Sequence, residues 1–163
     1  MWQVEDLLRA NDLDMGLIQQ RVIGSYPSLD EAARNELAGW YEGLIAMMRR
    51  EGVEKEGHLQ INTNTLSALT DLHLRLLQSP AQPYYAAAYY KALPFLVEFR
   101  GKSDGMEKPE VENALDALYG VWMLKLQKRP ISAPTATAVE EISQWISQLS
   151  RLYKEDEEGT LEL

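Results

Sequence analysis

The chain contains no cysteine. Disulfides, thiolate nucleophiles and cysteine-held metals are therefore excluded, and the absence suits a reducing compartment. Histidine is scarce as well, with only two copies, His58 and His73. Neither has the Glu-x-x-His spacing by which helical bundles hold carboxylate-bridged metals, because Lys55 and Thr70 stand three residues ahead of them. H-E-x-x-H, a P-loop, G-x-G-x-x-G and G-x-S-x-G are missing too. The usual signatures of zinc proteases, nucleotide binders and serine hydrolases go with them. A helical nuclease would need an arginine a few residues ahead of a histidine on one helix. Arg50 is too far from His58, and leucine, serine and alanine precede His73.

Positive charge is also short. Sixteen lysines and arginines face twenty-five acids, a net charge of −9 and a pI of about 4.7. Such a surface repels phosphate backbones, and no local basic run offsets it, so nucleic acid is not an expected partner. No stretch reaches the ~18 uninterrupted apolar residues of a membrane span. The N-terminus lacks the basic-then-apolar order of a signal peptide. The expectation from these absences is a cytoplasmic protein with no enzymatic activity and no metal or cofactor.

What is present reads as helix. With 163 residues, 45% of them hydrophobic and 25% charged, the chain has the composition of one soluble globular domain spanning 1–163. The least polar long run is PYYAAAYYKALPFLVEFR, 83–100. At 100° per residue its apolar side chains cover most of the circumference, which predicts a central helix buried by neighbours on several sides. Pro94 has no N–H to offer the Tyr90 carbonyl, so a kink is expected there.

The other helices follow in order. Trp2, Val4, Leu7 and Leu8 start one with nothing ahead of them to cap it. Asn11 and Asp12 can cap a second helix, ending near Gly24. Ser28 with Glu31 forms a capping box for a helix whose face is Leu37, Trp40, Tyr41, Leu44, Ile45 and Met48, and which stops at Gly52. Residues 53–62 read as a polar loop in which His58 is solvated. A helix over 63–78 buries Leu66, Leu69, Leu72, Leu76 and Leu77. The glycines at 101 and 105 predict a loop. Pro109 opens a helix with the face Val111, Leu115, Leu118, Tyr119, Trp122 and Leu126. Ser132 to Thr135 cap the last one, with Val139, Ile142, Ile146, Leu149 and Tyr153 inward. Its acidic end opposes the helix dipole, so residues 155–163 read as a frayed acidic tail. The result is an all-α bundle of six or seven helices around the Pro-kinked helix 83–100.

Several stretches together, WQVEDLLRAN at 2–11, MMRREGV at 47–53, GHLQIN at 57–62, DLHL at 71–74, YYKALPF at 89–95 and GTLEL at 159–163, resemble a bacterial family of small stand-alone cytoplasmic proteins filed as a domain of unknown function. The resemblance covers essentially the whole chain. It implies no substrate, cofactor or catalytic residue. The sequences it resembles continue upstream of WQVEDL, which implies a native first helix longer than the one here.

One constellation is worth weighing as a site. His73 falls in the middle of the apolar face of its helix, among Leu66, Leu69, Leu76 and Leu77. A buried imidazole needs a partner and tends to lose its charge. It is then either a core histidine bonded to a carbonyl or tyrosine hydroxyl, or part of an inter-helix ligand pocket with Tyr85 and Tyr89. Glu98 is a conceivable partner, but it shares a stripe with Lys91 and reads as solvated. The leading functional expectation is a helical module that binds a protein partner or itself. The alternative is a binder of a small apolar or aromatic ligand, using His73, Tyr85 and Tyr89.

Overall fold

A computed structural model describes residues 1–102 and 108–163. Its helices are α1 (Trp2–Ala10), α2 (Met15–Arg21), α3 (Glu31–Glu51), α4 (Gln60–Gln78), α5 (Pro83–Lys102), α6 (Glu110–Leu126) and α7 (Ala133–Glu157), with a 3₁₀ turn at Ile23–Ser25. The fold is all-α: 77% of the chain is helical and no strand occurs among the described residues.

The chain divides into two compact units, Met1–Asn64 and Thr65–Leu163. Each has a hydrophobic core of its own. The α5 stretch therefore organises the second unit, and the first 64 residues pack around a different centre.

In the first unit the core holds Leu8, Leu13, Ile18, Val22, Ile23, Tyr41, Leu44, Ile45, Met48 and Leu59. The periodic face expected of α3 is the buried one, except that Trp40 is 45% exposed. Two caps differ from expectation. Asp14, not Asn11 or Asp12, accepts the Leu17 amide at the start of α2, and Asp30, not Ser28, accepts the Ala33 amide at the start of α3. In both cases a later carboxylate lies nearer the first free amides, and an N-cap acid also suits the helix dipole. Asp12 and Leu13 instead take left-handed φ values of 54° and 52° in the turn between α1 and α2. Gly52 ends α3 at φ 71°, where an L side chain is strained.

The second unit packs α5 and α6 against α7, with residues 66–78 of α4 completing the core. Helix α5 runs two residues beyond expectation: Gly101 and Lys102 are helical, and the rest of the expected 101–105 loop lies outside the described residues. Pro94 lies inside α5, which continues through it. Helix α6 buries Val111, Asn113, Ala114 and Ala117. Of the expected stripe Val111 is buried, Leu115 and Leu118 pack against the core partly buried, and Leu126 is 58% exposed. Small residues let α6 approach its neighbours closely, and the larger ones are pushed to the margins. Helix α7 buries Ile142, Trp145, Leu149 and Leu152, so the expected face was right at Ile142 and Leu149 but missed the indole. The acidic end stays helical to Glu157, steadied by the Arg151–Glu155 and Lys154–Glu158 pairs one turn apart. Beyond it Gly159 turns at φ 70°, the Thr160 amide donates to the Glu155 carbonyl, and Leu161 packs against the core.

Candidate functional site

His73, Tyr85 and Tyr89 come together. The short connector after Gln78 folds α5 back beside α4, and Tyr85 and Tyr89, one turn apart, share the face that meets His73. His73 is 3% exposed, and its Nδ1 lies 2.7 Å from the Tyr85 hydroxyl. The imidazole also meets Tyr89 and Trp145 edge-on, at centroid distances of 4.8 and 5.2 Å. Helix α6 adds a residue that the sequence reading passed over, Glu110 in its first turn. The Tyr89 hydroxyl donates to Glu110 Oε2, Arg100 Nη2 lies 3.4 Å from Oε1, and His73 Nε2 is 3.8 Å from Oε2.

The histidine tautomer protonated on Nε2 fits both neighbours: Tyr85 donates to Nδ1, and the Nε2–H faces the carboxylate. Burial lowers the His73 pKa below its ordinary value, and Glu110 opposes that shift. Burial pushes Tyr85 and Tyr89 far above the ordinary phenol range; Trp145 partly offsets the rise at Tyr85, while Glu110 adds to it at Tyr89. Among the described residues the buried Trp145 indole N–H meets no acceptor within normal hydrogen-bond geometry, so its effect on Tyr85 is a looser attraction. This is a polar thread through a packed core. It runs from the partly exposed Glu110 and Arg100 to a neutral histidine clamped by aromatic rings.

A pocket of this unit lies elsewhere. It is half open, about 530 Å³, and formed by Phe95 and Phe99 of α5, Leu118 and Val121 of α6, and Ala138 and Val139 of α7, among others. None of His73, Tyr85 and Tyr89 lines it. Glu98 and Lys102 at its edge pair with each other at 2.6 Å, and Glu98 is largely exposed, as expected.

The outer side of α5 is the least ordinary surface of the unit. Pro83, Ala87, Tyr90, Pro94, Val97 and Gly101 follow one another at steps of 4, 3, 4, 3 and 4 residues, and all six are exposed. Tyr90 is 62% and Val97 53% exposed, and neighbouring Tyr84 reaches 85%. The sequence pattern put Tyr90 and Val97 among buried residues. A surface helix with one face in the core usually turns charge to the other. Here only Lys91 and Glu98 flank the stripe.

A second polar cluster, in the first unit, was not foreseen. Glu5 is 1% exposed. Its Oε1 accepts from the Leu59 amide at 2.9 Å and Asn62 Nδ2 at 2.6 Å, and its Oε2 lies 2.7 Å from His58 Nδ1. Trp2 stacks on the His58 ring at 4.7 Å, so His58 is not the freely solvated loop residue expected. Arg9, from the same helix, donates to the carbonyls of Val53 and Gly57. Among the described residues no three His, Asp or Glu side chains gather as a metal site, and no helix is long and apolar enough to cross a membrane.

The family model for a domain of unknown function, DUF4924, matches residues 1–160. The chain belongs to the DUF4924 family. No curated protein and no solved structure matches it. Membership in DUF4924 brings no reaction and no ligand with it, so a functional reading has to come from the chemistry of these surfaces.

Proposed function

We propose that the chain is a non-enzymatic helical interaction module, binding a protein partner or itself through the outer face of α5. The observation that carries this reading is the exposed stripe Pro83, Ala87, Tyr90, Pro94, Val97 and Gly101. Its spacing is that of a helix–helix seam, and exposed apolar area of this kind marks association surfaces. Tyrosine is also a residue that anchors interfaces well. The reading takes the chain to be a cytoplasmic bacterial protein; the absence of cysteine suits a reducing compartment and says nothing of origin.

The test is native mass spectrometry of protein purified from its source cells, with Tyr90→Glu/Val97→Glu as the comparison. The wild-type chain is expected in a complex, and the variant as a free monomer with an unchanged helical circular dichroism spectrum. A wild-type chain recovered only as a free monomer would overturn the reading.

A second reading has its own observation, the pocket between α5, α6 and α7. At about 530 Å³ it falls within the size range of small-molecule sites, and its walls are mainly apolar. The ligand would be small and apolar or aromatic. It would contact Phe95, Phe99 and Val121 rather than His73, Tyr85 and Tyr89. Ala138→Phe, which fills the pocket, is expected to abolish binding of an apolar fluorescent probe. Undiminished binding would remove the pocket as the site.

A further inference from the structure

We infer that the occupant of the α5 stripe is a second copy of the chain, its own α5 lying antiparallel across a twofold axis level with Ala92. This deepens the interaction-module reading and rests on it. The side chains along the stripe run in a self-complementary order of size. An antiparallel pair with that axis brings all six positions into facing layers. Pro83 meets Gly101 of the second copy, Ala87 meets Val97, and Tyr90 meets Pro94, and the twofold axis repeats each pair in reverse. Every layer sets a larger side chain against a smaller one, the arrangement by which facing helices interdigitate without voids. A phenol ring on a proline ring is an apolar stack, and the tyrosine hydroxyl at its edge still reaches water.

The alternatives fit less well. In a parallel pair like meets like. Two Tyr90 rings would compete for one level, and two Gly101 residues would leave a gap at another. An unrelated helix would need the complementary size order, whereas this stripe supplies it by being reversed. An interface made of one patch twice is the isologous contact of a twofold dimer, the commonest oligomer.

The edges of the stripe agree in part. Tyr84, 85% exposed, comes opposite Glu98 of the second copy, a donor facing an acceptor. Lys91 comes opposite its own copy near the axis. That repulsion is limited, because long lysine stems lie along the apolar surface and turn their ammonium groups to solvent. The seam shares no residue with the pocket, whose α5 members are Phe95, Glu98, Phe99 and Lys102, apart from the flanking Glu98.

The lack of native cysteine makes the register directly testable. Ala87→Cys and Val97→Cys chains are mixed and treated with a short thiol cross-linker. In the proposed register positions 87 and 97 share a layer, while two copies of position 87 stand about 15 Å apart along the axis. Mixed 87–97 links are expected to dominate. Predominance of 87–87 and 97–97 links would mean a parallel pair and overturn the register. Tyr90→Glu, which sets an unpaired charge in the central layer, is expected to weaken self-association by roughly a hundredfold in sedimentation equilibrium; an unchanged association constant would overturn the proposal.

A photo-cross-linking residue at position 90, introduced in the source cells, separates this proposal from the reading beneath it. An adduct of two copies supports both. An adduct with a different protein alone overturns the second-copy proposal and leaves the interaction module standing. The absence of any adduct overturns both.

Discussion

Glu5 gives the sharpest test of how the first unit is held. Its side chain is 1% exposed and fixes three groups from one loop and helix start: the Leu59 amide, Asn62 and His58. Glu5→Ala removes every acceptor at once. Leu59 is fully buried, so its amide cannot turn to water, and Asn62 is only partly able to do so. A full cost of about 1–3 kcal/mol at Leu59 and a partial one at Asn62 suggest a loss of roughly 2–4 kcal/mol. His58 adds little, because its ring is partly exposed and can be rehydrated. Glu5→Gln behaves differently. The amide oxygen can still accept from Leu59 and Asn62, and the amide NH₂ then faces His58 Nδ1, which one neutral tautomer presents as an acceptor. Only the extra strength of charge-assisted bonds is lost, about 1 kcal/mol. Urea unfolding followed by hydrogen exchange at the Leu59 amide reads the first unit specifically. An alanine variant within about 1 kcal/mol of wild type, or a glutamine variant as damaged as alanine, would refute the reasoning.

His73 is lowered by burial, so the folded chain binds fewer protons there than the unfolded chain as pH falls. Its contribution to stability is complete above the ordinary histidine value of 6.5 and declines below it; a proton-resonance titration showing an unshifted, freely exchanging His73 would contradict this. Glu110 opposes that lowering, so Glu110→Gln is expected to move the His73 titration further down, read by the same titration. Tyr85 and Tyr89 hold their protons in the fold, so stability is expected to fall once pH passes the ordinary phenol value of 10.0, with their ultraviolet ionisation appearing only on unfolding. Gly52→Ala, at φ 71°, is expected to cost about 1 kcal/mol in thermal unfolding of the first unit through strain at the α3 C-cap.

Much of the helical order was legible, for reasons that particular residues make plain. Helix α3 combines a long periodic face with a stop glycine, and both signals are local. Ser132, whose hydroxyl accepts the Thr135 amide, and Pro109, whose ring fixes φ, mark the starts of α7 and α6 by local chemistry alone. The two misplaced caps, Asp14 and Asp30, are local, but the larger misses share a cause: the deciding partner is far away in sequence. Glu5 sits in the first turn of α1, where an acid suits the dipole and needs no other reason. Its partners lie more than fifty residues on. In α6, ranking residues by size favoured Trp122 and Leu126, but close approach of helices selects Ala114 and Ala117 instead. In α7 a 3-4 pattern fits two overlapping registers, and only the packed neighbours choose the one containing Trp145. The apolar circumference of α5 was read correctly as composition, but Tyr90 and Val97 were wrongly placed on its covered sides. Hydrophobicity says that a face avoids water; it does not say whether the same chain supplies the cover.

Both histidines of the chain meet the same kind of partner. His58 is held by Glu5 and His73 faces Glu110, and each acid stands in the first turn of a helix. The helix dipole favours a carboxylate there, and the carboxylate in turn orients a ring brought in by another element. Buried polar contacts of this type tolerate few alternative packings, since any shift strands a donor or an acceptor. They therefore act within each unit, fixing the register of α1 against the 57–62 segment and of α4 against α6. Side chains engaged in that way are poor candidates for meeting a substrate, and neither histidine lines the pocket. Two apolar features of the second unit stay open to solvent, the pocket and the α5 stripe. Apolar surface has one thermodynamic tendency, to be covered. The proposed association through α5 rests on that tendency.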